Sequence, residues 1–258
     1  FVLFSFVFVV ASGIEARRES AAEERFRVGE FRAECAARVA ELRGLRSSER
    51  ECLERDAPCA DEVLAAVAGR TGRLWERRHR SPGALRVRLG EASVPAADVA
   101  VLPTTGRRDL LDELRSTADE LRRSRLPITV DLLETGGLAV VGPDERPTAI
   151  ARALVAQLVG LLGPDALALR VATSGERAKE WSWCGWLPHS GPGGAGQHVL
   201  VVVDGDRDGD DRVAAALDAS SAATPLWLAS SAAGLPPTVR AVLELTAQLA
   251  DEGRTDVR

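Results

Sequence analysis

Residues 136–158 read GGLAVVGPDERPTAIARALVAQL, and the fold turns on this stretch. An apolar run, Leu138 to Val141, stops at Gly142. A loop of Pro, Asp, Glu and Arg follows, and then Ala149, Ile150, Ala153, Leu154, Leu158 and Leu161 recur at helical spacing. Strand, tight turn and helix form the unit on which nucleotide-binding α/β domains seat phosphates. The pattern G-x-x-x-x-G-K-[ST] can be laid over it directly. Gly142 fits the first position, but Pro147 stands for the second glycine, Thr148 for the lysine and Ala149 for the hydroxyl residue. Pro147 has no N–H for a phosphate. Thr148 brings no positive charge and Ala149 no oxygen for Mg²⁺, while Asp144 and Glu145 add negative charge that Arg146 only partly offsets. The stretch therefore reads either as a nucleotide-binding scaffold without its phosphate grip or as an ordinary strand–helix turn. Both predict no tight phosphate binding.

The rest of the C-terminal half repeats the alternation. Strands are expected at 85–89, 128–133, 167–172, 198–204 and 226–229, and helices at 109–123 and 212–220, with 239–250 open to a terminal hairpin. Strands alternating with helices predict an α/β fold with a largely parallel, P-loop-like sheet covered on both faces. The run HVLVVVD ends in Asp204, where such sheets bind ligands and where a magnesium-handling acid would sit. Gly205 follows in place of a water-activating Glu. Asp204 to Gly209 also copies the opening of a calcium loop, but Ala215 occupies the position of the bidentate Glu, so an acidic surface loop is the better reading.

Upstream the pattern changes. Residues 15–56 are rich in charge and free of proline, with a narrow apolar stripe of Val28, Phe31, Cys35, Val39, Leu42 and Leu45. That predicts a long helix, continuous or broken near Gly44, packing against another helix. Glu23/Arg27, Glu34/Arg38 and Glu51/Arg55 are placed for i,i+4 pairing. Pro58 ends it, and a second helix is expected from Ala60 to Arg77, closing on basic residues. Phe1 to Val10 is apolar except for Ser5 and abuts Arg17 and Arg18. This end reads as the second half of a transmembrane helix with its Arg-rich flank on the cytoplasmic side, ahead of a signal-peptide core or a buried segment. No methionine occurs, and the chain is expected to be a piece of a longer protein. The expected organisation is a partial membrane helix over 1–14, a helical stalk over 15–80 and the α/β domain over 81–258.

Net charge is −5 with pI near 5.4, which excludes an overall basic nucleic-acid surface. Four scattered cysteines without a C-x-x-C do not match a zinc-ligand pattern. Trp181, Trp183 and Trp186 crowd six residues and read as packing or an interface. His189 lacks a sequence neighbour that would make a catalytic triad, and no catalytic or metal-binding set is assigned.

LWERR (Leu74 to Arg78), LRVRLG (Leu85 to Gly90), VVGPDER (Val140 to Arg146), RVATSGERAKEWSWCGWLPH (Arg170 to His189) and HVLVVVD occur in that order. Together they resemble the membrane-proximal part of the type VII secretion ATPases, the EccC family of FtsK/SpoIIIE-like motors. The resemblance implies an inner-membrane protein with residues from about 15 onward in the cytoplasm. It implies a structural, coupling and regulatory module, hexameric self-association and partners among the membrane components of the secretion complex. ATP and Mg²⁺ would bind in downstream domains, which would handle secreted proteins. No cofactor and no nucleic acid is expected on this segment, the alternative being a segment of an FtsK/SpoIIIE-like DNA translocase.

Overall fold

The computed structural model describes residues 2–93, 107–122, 125–173, 175–190, 196–204, 223–236, 239–245 and 256–257. The chain divides into two compact units, Phe1–Glu51 with Pro95–Ser124, and Cys52–Val94 with Arg125–Arg258.

The first unit is built on α1 (Val2–Asp56), whose residues from Cys52 on belong to the second unit, and on α3 (Arg108–Arg122). Helix α1 runs unbroken through Gly44, whose surroundings are open. Its apolar stripe meets a helix, as its narrowness requires: Phe31, Cys35 and Val39 share a groove with Leu110 and Leu114 of α3. Arg32–Glu113 at 3.1 Å and Arg43–Glu120 at 2.9 Å link the two helices, and Arg107, just ahead of α3, pairs with Glu24 at 3.2 Å. Within α1, Arg38 pairs with Glu41 rather than with Glu34. These pairs are solvated and each contributes at most about 1 kcal/mol. Among the described residues, no helix is long and apolar enough to cross a membrane.

The second unit is an α/β sheet assembly. Strands β1 (Arg86–Ser93) and β2 (Arg125–Asp131) form an antiparallel ribbon of their own. The main sheet takes β3 (Leu138–Val141), β4 (Leu167–Thr173), β5 (His198–Asp204), β6 (Ala223–Ala229), β7 (Val242–Glu244) and β8 (Asp256–Val257) in the order β4-β5-β6-β3-β7-β8. The first five strands of that order are mutually parallel and only β8 runs antiparallel. β7 pairs instead with β8, and the second arm of the hairpin expected within 239–250 lies outside the described residues. The predicted helix at 212–220 and the calcium-like loop beyond Asp204 lie outside the described residues.

Alternation along the strands sorts the core. Leu138, Val140, Leu167, Leu169, Leu200, Val202, Leu226 and Leu228 face α5 (Arg146–Leu161), while Ala139, Val141, Ala168, Val199, Val201, Val203 and Trp227 fill the opposite face. Helix α5 buries Pro147, Ala151, Leu154, Val155, Leu158 and Leu161, so its inward stripe excludes Ala149, which is exposed. Where α5 crosses α2 (Ala60–Gly69), a side chain at Gly160 would stand 2.3 Å from Val63 Cγ1, and glycine permits the approach. Gln157, buried on α5, accepts from the Arg88 N–H at 2.9 Å and donates to the Arg88 carbonyl at 3.0 Å. Its amide thereby substitutes for a neighbouring strand along the outer edge of β1.

β1 runs on to Ser93 and β6 begins already at Ala223, both longer than expected, and two other boundaries shift for a local reason. β2 ends at Asp131, whose carboxylate accepts from the Leu133 N–H at 3.0 Å and starts the short α4 (Leu132–Thr135) instead of extending the strand to Leu133. Helix α2 stops at Gly69 and is closed by Arg70 in the left-handed region at φ 45°. Residues 75–80 are then not helical but form a strap across the C-terminal end of α5. The Trp75 N–H donates to the Gly160 carbonyl and the Arg77 N–H to the Leu161 carbonyl, both at 2.9 Å. The Arg77 guanidinium donates to the carbonyls of Ala84 at 3.2 Å and Arg86 at 2.7 Å, and to that of Asp56. Tertiary partners for these backbone groups outweigh the modest helical preference of a stretch already interrupted by Gly69 and Gly72.

Candidate functional site

The loop after β3, the C-terminal end of β5 and the first turns of α5 line a cavity of about 480 Å³. This is where a doubly wound sheet places its ligand. The 3-10 segment Gly175–Trp186 contributes the remaining lining through residues such as Glu176, Arg177 and Glu180.

At the loop, Gly142 serves packing. Its N–H donates to the Ala229 carbonyl at 3.1 Å, and a Cβ there would stand 2.7 Å from Leu245 Cβ. The Leu245 N–H in turn donates to the Val141 carbonyl at 2.7 Å. The glycine that matches the phosphate pattern is thus committed to closing β7 against β3, and its N–H is not turned toward an anion. Pro143 and Pro147 have no N–H at all. Pro147 is buried, Thr148 half-buried and Ala149 exposed. Asp144 holds the turn at φ 60°.

Asp204 is fully buried at the end of β5. One carboxylate oxygen lies 2.5 Å from the Arg177 guanidinium, and the other accepts from the Trp181 indole N–H at 2.7 Å. A buried carboxylate requires such partners, because stripping water from an unpaired charge costs several kcal/mol. The other cations are committed as well: Arg152 pairs with the carboxylate of Glu180 and donates to its carbonyl at 2.9 Å, and Lys179 pairs with Glu176 at 2.8 Å. Among the described residues, each basic side chain lining the cavity therefore has an acidic partner, while Asp144 and Glu145 also face it. A magnesium polyphosphate needs converging N–H groups, a lysine and a hydroxyl or acid for the metal. The residues in place do not fit that group.

The three tryptophans separate in role. Trp181 is buried and stacks on Trp183 with ring centroids 6.3 Å apart, whereas Trp186 is 90% exposed. Cys184, one 3-10 turn after Trp181, is buried, and desolvation pushes its thiol up to about 11 against the opposing pull of Arg152. His189 is buried against the Leu162 carbonyl at 2.8 Å. Sequence reasoning missed Arg177 as the partner of Asp204. The only hint was a cation in the segment preceding the tryptophans. Among the described residues no cluster of His, Cys, Asp and Glu could hold a metal.

No protein-family model matches the chain. It is similar to the ESX secretion system protein EccC of Thermomonospora curvata, 31% identical over 157 residues, covering 58% of this chain and 12% of that protein. It is also 31% identical over 139 residues to the ESX-3 secretion system protein EccC3 of Mycobacterium tuberculosis, covering 49% of this chain and 10% of that protein. The ESX secretion system protein YukB of Bacillus subtilis is 26% identical over 155 residues, covering 57% and 10%. The chain thus spans about a tenth of the length of these curated relatives. Among solved structures, the cytoplasmic domain of the Thermomonospora curvata type VII secretion ATPase EccC aligns with a TM-score of 0.40 at 15% identity, over 69% of this chain and 25% of that one. Its ATPases 2 and 3 in complex with a signal sequence peptide align with a TM-score of 0.38 at 15% identity, over 64% and 37%. The similarity to EccC that the sequence pattern suggested is present across about half of the chain.

Proposed function

We propose that this chain is the membrane-proximal coupling and regulatory module of a type VII secretion ATPase, and that it transmits between membrane components and downstream ATPase domains without hydrolysing ATP itself. The observation that carries this reading is the engagement of both Asp204 oxygens by Arg177 and Trp181, at the strand end where a nucleotide-binding sheet would place a magnesium-handling acid. A sheet that keeps its apolar strands but ties up the acid at its ligand end retains a rigid body and loses a catalyst. Similarity to EccC supports the secretion context, and the long α1 suits a stalk. In this reading the Phe1 to Val10 end belongs to an inner-membrane anchor and the rest faces the cytoplasm. The module self-associates with its copies in a hexameric assembly and contacts other membrane components of the complex. Secreted proteins, ATP and Mg²⁺ engage downstream domains, and DNA is not a ligand.

The test is a flexible Gly/Ser insertion between Asp56 and Pro58 in the full-length parent protein. Secretion should fall to background while membrane association and ATP hydrolysis by the downstream domains persist. Undiminished secretion would remove the coupling role. Salt-sensitive, sub-micromolar binding of duplex DNA by the same protein would point instead to the translocase reading.

A further inference from the structure

The 3-10 segment Gly175–Trp186 turns once every three residues, and burial follows that period: Trp181 and Cys184 are buried on one edge and Leu187, next in line, is half-buried. A second edge carries Arg177, Glu180, Trp183 and Trp186. Arg177 and Glu180 line the cavity beside Asp204, and Trp186, farther along the same edge, is 90% exposed. With a rise of about 2 Å per residue, the row from Arg177 to Trp186 is about 18 Å long. An extended chain at about 3.3 Å per residue covers that length with about five or six residues. We propose that this row is a docking track for a partner protein, which lays an extended, arginine-bearing segment along it, with one guanidinium in the cavity and another on the Trp186 ring.

The charge of the cavity selects the occupant. Five carboxylates and three cations line it. Arg152, Arg177 and Lys179 pair with Glu180, Asp204 and Glu176. Asp144 and Glu145 are left over, and among the described residues neither carboxylate has an ion-pair or hydrogen-bond partner. Glu145 stands at the N-cap of α5 without bonding the helix through its side chain, and the exposed Arg146 does not line the cavity. The helix end contributes about half a positive charge, so the cavity keeps an excess of negative charge. A metal ion does not answer it: among the described residues no group of His, Cys, Asp and Glu could hold one, and a cavity of about 480 Å³ is far wider than an ion. A long basic side chain fits both the space and the charge. The planar guanidinium can bond a single carboxylate, Asp144 or Glu145, through two N–H groups at once.

A lone exposed tryptophan is ordinary on a protein surface. Trp186 differs in being held in the row by its neighbours. Trp183, half-buried one turn earlier, stacks on the buried Trp181, and the Leu187 N–H donates to the Cys184 carbonyl at 3.0 Å and closes the turn around Trp186. An indole kept in water at a set distance from an anionic cavity offers its face to a second cation. Tryptophan and arginine are also the side chains that most often anchor protein interfaces. The two ends of the row act on one segment, so binding at the first raises the effective concentration at the second. The track goes beyond the coupling role, because it requires nothing of the parent protein's other domains.

The probe is a capped hexapeptide of alternating Arg and Ala carrying fluorescein, titrated with the whole chain and read by anisotropy. Salt at about 0.15 M screens general attraction to the net charge of −5. Saturable binding is expected, and the same peptide with Glu in place of Arg should not bind. Trp186→Ala should weaken binding about two- to fivefold. Asp144→Asn together with Glu145→Gln should weaken it about tenfold or more. Asn tolerates the φ of 60° at position 144, and the Glu145 side chain does not cap α5, so this double variant keeps the turn. Glu30→Gln with Glu34→Gln on α1 changes the net charge by the same amount and should leave the affinity as it is. No binding at about millimolar protein, or losses in the cavity and Trp186 variants no greater than in the α1 variant, would overturn the proposal. Self-association of the chain that Trp186→Ala abolishes would overturn it as well, by giving the track to a second copy.

Discussion

Arg177→Ala removes one of the two groups that neutralise and bond Asp204. The carboxylate side chain is 1% exposed, whereas that of Arg177 is 57% exposed, so the cation approaches from solvent and the acid does not leave the interior. Breaking a fully buried ion pair from one side costs about 3–5 kcal/mol, and an exposed pair contributes about 0–1 kcal/mol. With one partner buried and the other half in water, and with the Trp181 bond retained, about 2 kcal/mol is expected. For a sheet unit of this size that corresponds to a drop in Tm of about 4–8 °C. Lys179→Ala is the internal control, because both members of its pair with Glu176 are largely exposed and its loss should cost under about 0.5 kcal/mol. Urea unfolding followed by tryptophan fluorescence measures both. If the two variants lose equally little, Asp204 is not held as described and the closed-site argument fails.

Two further outcomes follow from packing and burial. Gly160→Ala should destabilise the α2–α5 crossing by about 1–3 kcal/mol, and Val63→Ala in the same chain should recover part of the loss, as thermal melts would record; a neutral Gly160→Ala would show that the crossing is looser than its geometry. Iodoacetamide at about pH 8 should alkylate exposed Cys52 at least tenfold faster than Cys184, whose thiol is buried and raised to about 11, and peptide mass mapping would reveal equal rates if that burial were wrong.

The sheet was largely legible before its structure. Leu138 to Val141 and His198 to Asp204 are short, continuous apolar runs bounded by Gly or a charge, and both strands have those limits. The helical repeat after Gly142 likewise became α5, with its inward stripe displaced because Pro147 and Ala151, rather than Ala149, turn toward the sheet. What escaped the sequence depends on partners far along the chain. The strap at 75–80 looks helical in isolation, but its backbone bonds are to Gly160 and Leu161. Arg177 meets Asp204 across 27 residues, and no local spacing distinguishes it from Arg152 or Lys179. The tryptophan cluster was visible as a cluster, yet only the 3-10 path, with three residues per turn, turns Trp181 and Cys184 inward together and leaves Trp186 in solvent.

The closed site is tested most directly by titrating the purified chain with Mg-ATP in a calorimeter. The loop has lost the Gly142 N–H to Ala229, and Asp204 is already bonded through both oxygens. The N-terminal end of α5 can still attract an anion, by about 1 kcal/mol, against about 8 kcal/mol for micromolar affinity. No saturable heat is expected at micromolar or sub-millimolar nucleotide. A micromolar dissociation constant that requires Mg²⁺ and disappears in Asp204→Asn would contradict the account, since it would mean that Arg177 and Trp181 yield the carboxylate to a metal.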